Sequence, residues 1–180
     1  MEPREEGREM RSVLVYTLHG TVEGDLPVNS RLRTLDFLNA PHKFVTLEAT
    51  KIAFPGWSFD TGPLSLNKEM ILFVTELGQE PPTTDERVEA AHFLRSAVRL
   101  RLADFDVQGY MHVRGLNDPL MRLSQNRQTF LALTAASVVG KDTEFATGFL
   151  AVNPLHVLAA QMIHVDEAVT RSRVGTAEAI

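Results

Sequence analysis

One phrase of this chain is written twice. Phe59-Asp60-Thr61-Gly62-Pro63-Leu64-Ser65-Leu66-Asn67 returns as Phe145-Ala146-Thr147-Gly148-Phe149-Leu150-Ala151-Val152-Asn153. Both read F-x-T-G-x-L-x-[LV]-N, 86 residues apart. The likeness runs on into both flanks, so the repeat is a duplicated module rather than a chance peptide. Self-similarity of this kind constrains architecture before any residue propensity is weighed.

The flanks supply the rest of the module. At an offset of 85, Val13, Val22, Gly24 and Val28 fall on Val98, Val107, Gly109 and Val113. Apolar and polar residues alternate from Val13 to Leu18, from Thr21 to Val28 and from Val107 to Val113, the period of a strand with one buried face. Short connections at His19-Gly20 and Asp104-Phe105-Asp106 predict hairpins. The repeated glycine lies inside the second strand, where it marks a bulge, a bend or a close backbone approach. Bends of this kind are how small sheets curl towards barrels.

A short helix follows in each copy. Ser30 is the expected cap for a helix over Arg31 to Asn39, with Leu32, Leu35 and Leu38 on one face. Asp118 caps the second, and Pro119 takes the first helical position, where its missing N–H costs nothing. One inserted residue then lengthens the offset to 86, and Phe44 to Ala49 lie on Phe130 to Ala135. Val45, Leu47 and Ala49, like Leu131, Leu133 and Ala135, are the expected core face. The repeated phrase forms the fourth strand; Met70 to Thr75 and His156 to Gln161 form the last.

The reading is therefore mainly β with short helices (α+β): two tandem, pseudo-symmetric β-β-α-β-β-β modules, forming small barrels or a shared sandwich. The first repeat covers residues 11–77 and the second 97–163. A linker over 78–96 carries the capping signal Thr83-Thr84-Asp85-Glu86 and a helix from Asp85 to Leu94. The polar tail is 164–180. A module of roughly 65 residues lies near the lower limit for a self-sufficient core, so each copy gains by packing on the other.

Composition narrows function mostly by exclusion. Of 180 residues, none is cysteine, which removes disulfides, thiolate nucleophiles and Cys-ligated zinc. A net charge of −5 disfavours non-specific nucleic-acid binding. The charged N-terminus lacks the apolar run of a secretory signal, and no stretch approaches the roughly 18 apolar residues of a membrane span. A cytoplasmic protein without a membrane span is expected.

Within the first copy, Arg33-Thr34-Leu35-Asp36-Phe37-Leu38-Asn39, then Phe44-x-x-Leu47, then Leu66-Asn67 follow the order R-x-x-D-x-L-N, F-x-x-L, [VL]-N. That order resembles an uncharacterised bacterial β-rich domain family of unknown function. The resemblance is fuller over 11–77 than over 97–163, where Met121-Arg122-Leu123-Ser124 replaces the Asp and Asn positions. It implies no activity and no cofactor.

Candidate residues are few. Asn67 and Asn153 could contact a ligand, but an Asn after a strand more often bonds neighbouring backbone in a turn. Thr61-Gly62 and Thr147-Gly148 lack the further glycines and following helix of a phosphate loop. His19, His42, His92, His112, His156 and His164 show no metal-ligand spacing. No G-x-S-x-G elbow or ordered triad is present, and Asp104 and Asp106 flank a turn. Arg99 and Arg101 share a strand face, among the second copy's arginines Arg114, Arg122 and Arg127. They could bind nucleic acid, or form a solvated face beside Asp104, Asp106, Asp118 and Glu144. No aromatic ladder accompanies them as a stacking platform would require. Phe54 and Trp57 flank Pro55-Gly56 in a loop the second copy lacks, as a docking hot spot or a plug under the sheet.

No catalytic, cofactor-binding or metal-binding residue is nominated. The expectation is a non-enzymatic protein-interaction or assembly module, binding an unknown protein or itself, with Phe54, Trp57, Arg99 and Arg101 as interaction residues. One alternative is a nucleic-acid-binding small-barrel protein, comparable at fold level to Sm-like or OB-like barrels. Another is a sensor holding an anion or metabolite between the copies.

Overall fold

The computed structural model describes residues 8–29, 32–78, 94–113, 118–125 and 127–163. The expected Ser30 cap, the tail and nearly all of the expected Asp85–Leu94 helix lie outside them. Leu94 itself opens a strand. In chain order the elements are β1 (Arg8–Thr17), β2 (Gly20–Asn29), α1 (Thr34–Leu38), β3 (Phe44–Ala53), β4 (Gly62–Asn67), β5 (Ile71–Glu76), β6 (Leu94–Leu102), β7 (Phe105–Val113), α2 (Pro119–Gln125), β8 (Leu131–Val139), β9 (Glu144–Val152) and β10 (Val157–Met162). The protein is thus mainly β with short helices. Single 3-10 turns, Lys68–Met70 and Pro154–His156, precede β5 and β10.

All ten strands belong to one antiparallel sheet ordered β10-β6-β7-β8-β9-β5-β1-β2-β3-β4. The sheet is open, so the closure into small barrels expected above is not found. The reason lies in β5. One side of β5 pairs with β1, and the other side, which β4 would need to close the first half, is taken by β9. Among the described residues, strands β4 and β10 are left as the two edges.

Alternation places the core. Val13 and Val15 of β1, Val22, Leu26 and Val28 of β2, and Val45, Leu47 and Ala49 of β3 are buried together. Gly24 has no room for a side chain: a Cβ there would lie 2.4 Å from the Glu48 carbonyl oxygen. The β2–β3 register shifts between Glu23 and Gly24, and the β7–β8 register between Gln108 and Tyr110. The second shift changes one expectation. Ala135 takes a left-handed φ of 46°, which resets the alternation, so Ala136 and Val138 join Leu131 and Leu133 in the core and Ala135 does not.

The first helix starts later than expected, at Thr34, where the Asp36 carboxylate accepts from the Arg33 backbone N–H at 3.3 Å and from its guanidinium at 3.0 and 3.1 Å and so fixes Arg33 as the N-cap. Leu38 is buried and Leu32, ahead of the helix, is exposed. In α2, Asp118 Oδ1 accepts from the Leu120 N–H at 2.8 Å, leaving Pro119 at the first helical position. Strand β9 holds the whole of its phrase except the final Asn153, whereas β4 begins only at Gly62, and Phe59 to Thr61 precede it. Among the described residues no helix is long and apolar enough to cross a membrane.

Candidate interaction surfaces

The contact between the two halves shows what this sheet needs in order to bury an edge. β5 and β9 pair through Phe73↔Val152, Val74↔Ala151 and Thr75↔Leu150. Asn153 anchors one end. Its Oδ1 accepts from the Leu155 N–H at 3.0 Å, which caps the following turn. Its Nδ2 donates across the junction to the carbonyls of Lys68 and Ile71, both at 3.0 Å. The Asn153 N–H donates to the Leu72 carbonyl at 2.9 Å. In the middle, the Thr75 hydroxyl lies 2.8 Å from the Thr147 hydroxyl and 3.1 Å from the Phe149 carbonyl. Asn39 in the loop after α1 clasps the backbone of Phe130 on both sides, donating to its carbonyl and accepting from its N–H.

Apolar side chains cross the same line in both directions. Phe130 and Ala151 of the second half sit in the core of the first. Tyr16, Leu72 and Phe73 of the first half sit in the core of the second. There Tyr16 stacks on Phe73, with ring centroids 4.5 Å apart, and lies 5.9 Å from Phe145.

The sheet edges lack such cover. Positions 86 residues apart have contrasting surroundings: Leu72 is 2% exposed and Leu158 on β10 is 72% exposed. Phe130 is fully buried and Phe44, at the start of β3 beside the β4 edge, is 51% exposed. Asn67 Oδ1 caps its turn by accepting from the Glu69 N–H at 3.1 Å, as Asn153 does for Leu155. Its Nδ2 has no hydrogen bond among the described residues, whereas that of Asn153 has two.

The four residues singled out from the sequence lie beside these edges. Phe54 is half-buried on the core of the first half and fills the space above Gly20, where an added Cβ would meet its ring at 2.8 Å. Trp57 is 73% exposed and stacks parallel on Phe59, with centroids 6.2 Å apart and planes 8° apart. Phe54 packs edge-on against that same Phe59. The loop thus combines an anchor and a presented aromatic face. Arg99 and Arg101 lie on β6, next to edge strand β10, and both reach the Asp106 carboxylate, at 3.4 and 3.0 Å. One carboxylate shared by two guanidiniums leaves one net positive charge there.

Titratable groups elsewhere are structural in setting. The buried Lys68 ammonium donates to the Ala40 carbonyl at 2.7 Å and pairs with no carboxylate among the described residues. Burial pushes its pKa down. Burial raises that of Tyr16, against a weaker opposing hydrogen bond with Thr143. Asp36 is held below the usual carboxylate range, chiefly by its hydrogen bond from Arg33. An open groove of about 500 Å³ follows the junction, lined by Tyr16, Thr75, Glu76, Asp142, Glu144 and Thr147 among others. Three carboxylates on its wall make it a poor receptor for an anion. Among the described residues no group of three or more His, Asp or Glu is placed to hold a metal ion.

Reasoning from sequence missed Asn39, Thr75 and Phe130 as junction residues. Asn153 carried a signal as a repeated Asn after a strand, and Asn39 as the last position of the R-x-x-D-x-L-N order. No protein-family model matches the chain, and no curated protein and no solved structure matches it.

Proposed function

We propose that this chain is a non-enzymatic assembly module made of two diverged copies of one β-β-α-β-β-β unit, working through its open sheet edges. One observation carries the reading. Among the described residues, strands β4 and β10 are unpaired on one side and are flanked by exposed Phe44, Trp57 and Phe59 at one end and Leu158 and Met162 at the other. Unpaired strands with apolar side chains are templates for another strand, and proteins without a use for them blunt them with charge or cover.

The duplication is supported by more than the repeated phrase. The order β5-β1-β2-β3-β4 has a counterpart in β10-β6-β7-β8-β9. The pairs Val13↔Gly24 and Tyr16↔Phe73 have counterparts in Val98↔Gly109 and Arg101↔Ala159. A size exchange is more telling. Gly20 faces Phe54 in the first half, whereas Phe105 faces Gly140 in the second. The two aligned positions hold one glycine and one phenylalanine in both halves, in opposite order, so one ring fills one gap each time. The kinship with the uncharacterised bacterial β-rich family belongs to the same reading and rests on the R-x-x-D-x-L-N, F-x-x-L and [VL]-N positions alone.

The rival readings gain less. The arginine pair shares Asp106, and the groove is acidic. The test is cross-linking and native co-purification of the whole chain beside Leu158→Lys and Phe44→Glu variants. Retention of a protein, itself or another, that either variant loses is the expected result. A strictly monomeric chain that retains no protein would refute the reading, and oligonucleotide binding weakened by Arg101→Glu would replace it.

A further inference from the structure

We propose that the occupant of each open edge is a second copy of this chain, joined head to tail: the β4 edge of one molecule on the β10 edge of the next, in the register of the β5–β9 junction. The proposal rests on the assembly reading above and names its partner. Its ground is continuity with an interface the molecule already contains. Inside the chain, β9 of one half pairs with β5 of the other. By position, β4 corresponds to β9 and β10 to β5, so the two strands left open are the two halves of the same contact.

Transposing the junction by the repeat offset gives the register. Phe73↔Val152, Val74↔Ala151 and Thr75↔Leu150 become Ala159, Ala160 and Gln161 opposite the second copy's Leu66, Ser65 and Leu64. Pro63, the residue that would block a ladder, falls just outside these pairs. The second copy's Asn67 brings the Nδ2 that has no hydrogen bond among the described residues of the single molecule. Its targets, corresponding to the Lys68 and Ile71 carbonyls, are those of Pro154 and Val157. Leu158 takes the buried place of Leu72, and the second copy's Phe44 takes that of Phe130.

One contact changes chemistry. Phe145 stacks near Tyr16 in the internal junction. By sequence offset the counterpart is the second copy's Phe59, which precedes β4 and lies outside its ladder, against Arg101. Asp106 holds that guanidinium at 3.0 Å and leaves the Arg101 side chain half-exposed, and Trp57 stacks on Phe59. An aromatic face on an arginine is a cation–π contact. Three of the sequence candidates thereby converge on one contact, because Trp57 and Arg101 meet through Phe59 and Phe54 braces it. Because the contact is heterologous, each added molecule leaves one edge of each kind until a ring closes.

The test uses the whole chain in sedimentation velocity over a wide concentration range. Wild type is expected to sediment as a multimer. Leu158→Lys removes only the β10 edge, and Phe44→Glu with Asn67→Ala removes only the β4 edge. All three positions are exposed or only half-buried, and each substitution is expected to weaken association on the order of tenfold to a hundredfold. Mixed together, the two variants retain one intact junction and should form a one-to-one dimer. Because the chain has no cysteine, Ser65→Cys with Ala160→Cys should give an interchain disulfide in wild-type background and none with Leu158→Lys added. A wild type that stays monomeric, a multimer unaffected by either edge variant, or a mixture that does not dimerise overturns the proposal. A monomer that instead captures a different protein through the same edges overturns it and leaves the assembly reading standing.

Discussion

Asn67 and Asn153 end the same repeated phrase, yet the structure assigns them unequal costs of removal. Asn153→Ala deletes three side-chain hydrogen bonds, two of them to carbonyls of the other half, at a residue 2% exposed. At about 1 kcal/mol for each net bond, the loss is about 3 kcal/mol. Asn67→Ala deletes one bond, to the Glu69 N–H, at a less enclosed site. That is the loss of a turn cap, about 0.5–1 kcal/mol. For a chain of this length the two values correspond to melting shifts of roughly 6–12 °C and 1–4 °C. Far-UV circular dichroism on heating and in urea, at a concentration where every sample is monomeric, separates them. Tryptophan fluorescence is the poorer probe, since Trp57 is exposed in the native fold. Asn153→Asp sharpens the test, because it keeps the turn-capping acceptor and sets a carboxylate against two carbonyl oxygens. Its loss should equal or exceed that of Asn153→Ala. Equal losses for Asn67→Ala and Asn153→Ala would refute the reasoning, since they would mean that the cross-junction bonds contribute nothing.

The same logic applies to other paired positions. Phe130→Ala, emptying a fully buried site in the opposite half, should cost about 3–5 kcal/mol, and Phe44→Ala less than about 1 kcal/mol in the monomer; urea unfolding compares them. Gly24→Ala places a Cβ 2.4 Å from the Glu48 carbonyl oxygen, whereas Gly109→Ala meets nothing closer than the Ala136 Cβ at 3.2 Å. Denaturation midpoints should fall further for the first, by a difference of about 1–3 kcal/mol. Lys68 has its pKa lowered by burial, so the folded state binds its proton less tightly than the unfolded chain. Stability is therefore gained as pH rises through the folded pKa towards the unfolded value and is lost again on falling pH. Relative to Lys68→Met, wild type should gain stability from neutral to alkaline pH; a constant difference would show that the amine is not desolvated.

What the sequence disclosed is what lies close along the chain. Alternation located Val45, Leu47 and Ala49 on the core face, and Pro119 after Asp118 marked a helix start. Alternation failed at Ala135 because a single left-handed residue reverses the faces beyond it, and nothing in the side chain of alanine announces that conformation. The cap signal misplaced the first helix, where the Asp36 carboxylate bonded back to the Arg33 N–H marks a start after the expected Ser30 cap. The junction was hidden for a different reason. Asn67 and Asn153, or Leu72 and Leu158, are chemically the same letter. Their burial depends on which strand lies across the sheet, and that is set by a pairing between residues 70 or more positions apart.

The two junctions described here, one within the chain and one proposed between chains, are not matched in strength. Passing from the first to the second, Phe73 is replaced by Ala159, Val74 by Ala160 and the Asn39 clasp by Ser124. Losing a buried phenylalanine removes about 3–5 kcal/mol, and losing the two clasp bonds removes about 2 kcal/mol. The gained contact of Phe59 on Arg101 returns about 1–2 kcal/mol. The internal junction is also helped by the covalent link between its halves, which acts as a high effective concentration. If the ends join as proposed, the internal junction would be the permanent one and the contact at the ends the weaker. With Ala159 and Ala160 where β5 has Phe73 and Val74, β10 presents less apolar surface than a bare copy of β5 would. In the proposed end-to-end contact, the small residues of β10 would let one sheet carry a fixed joint and a reversible one.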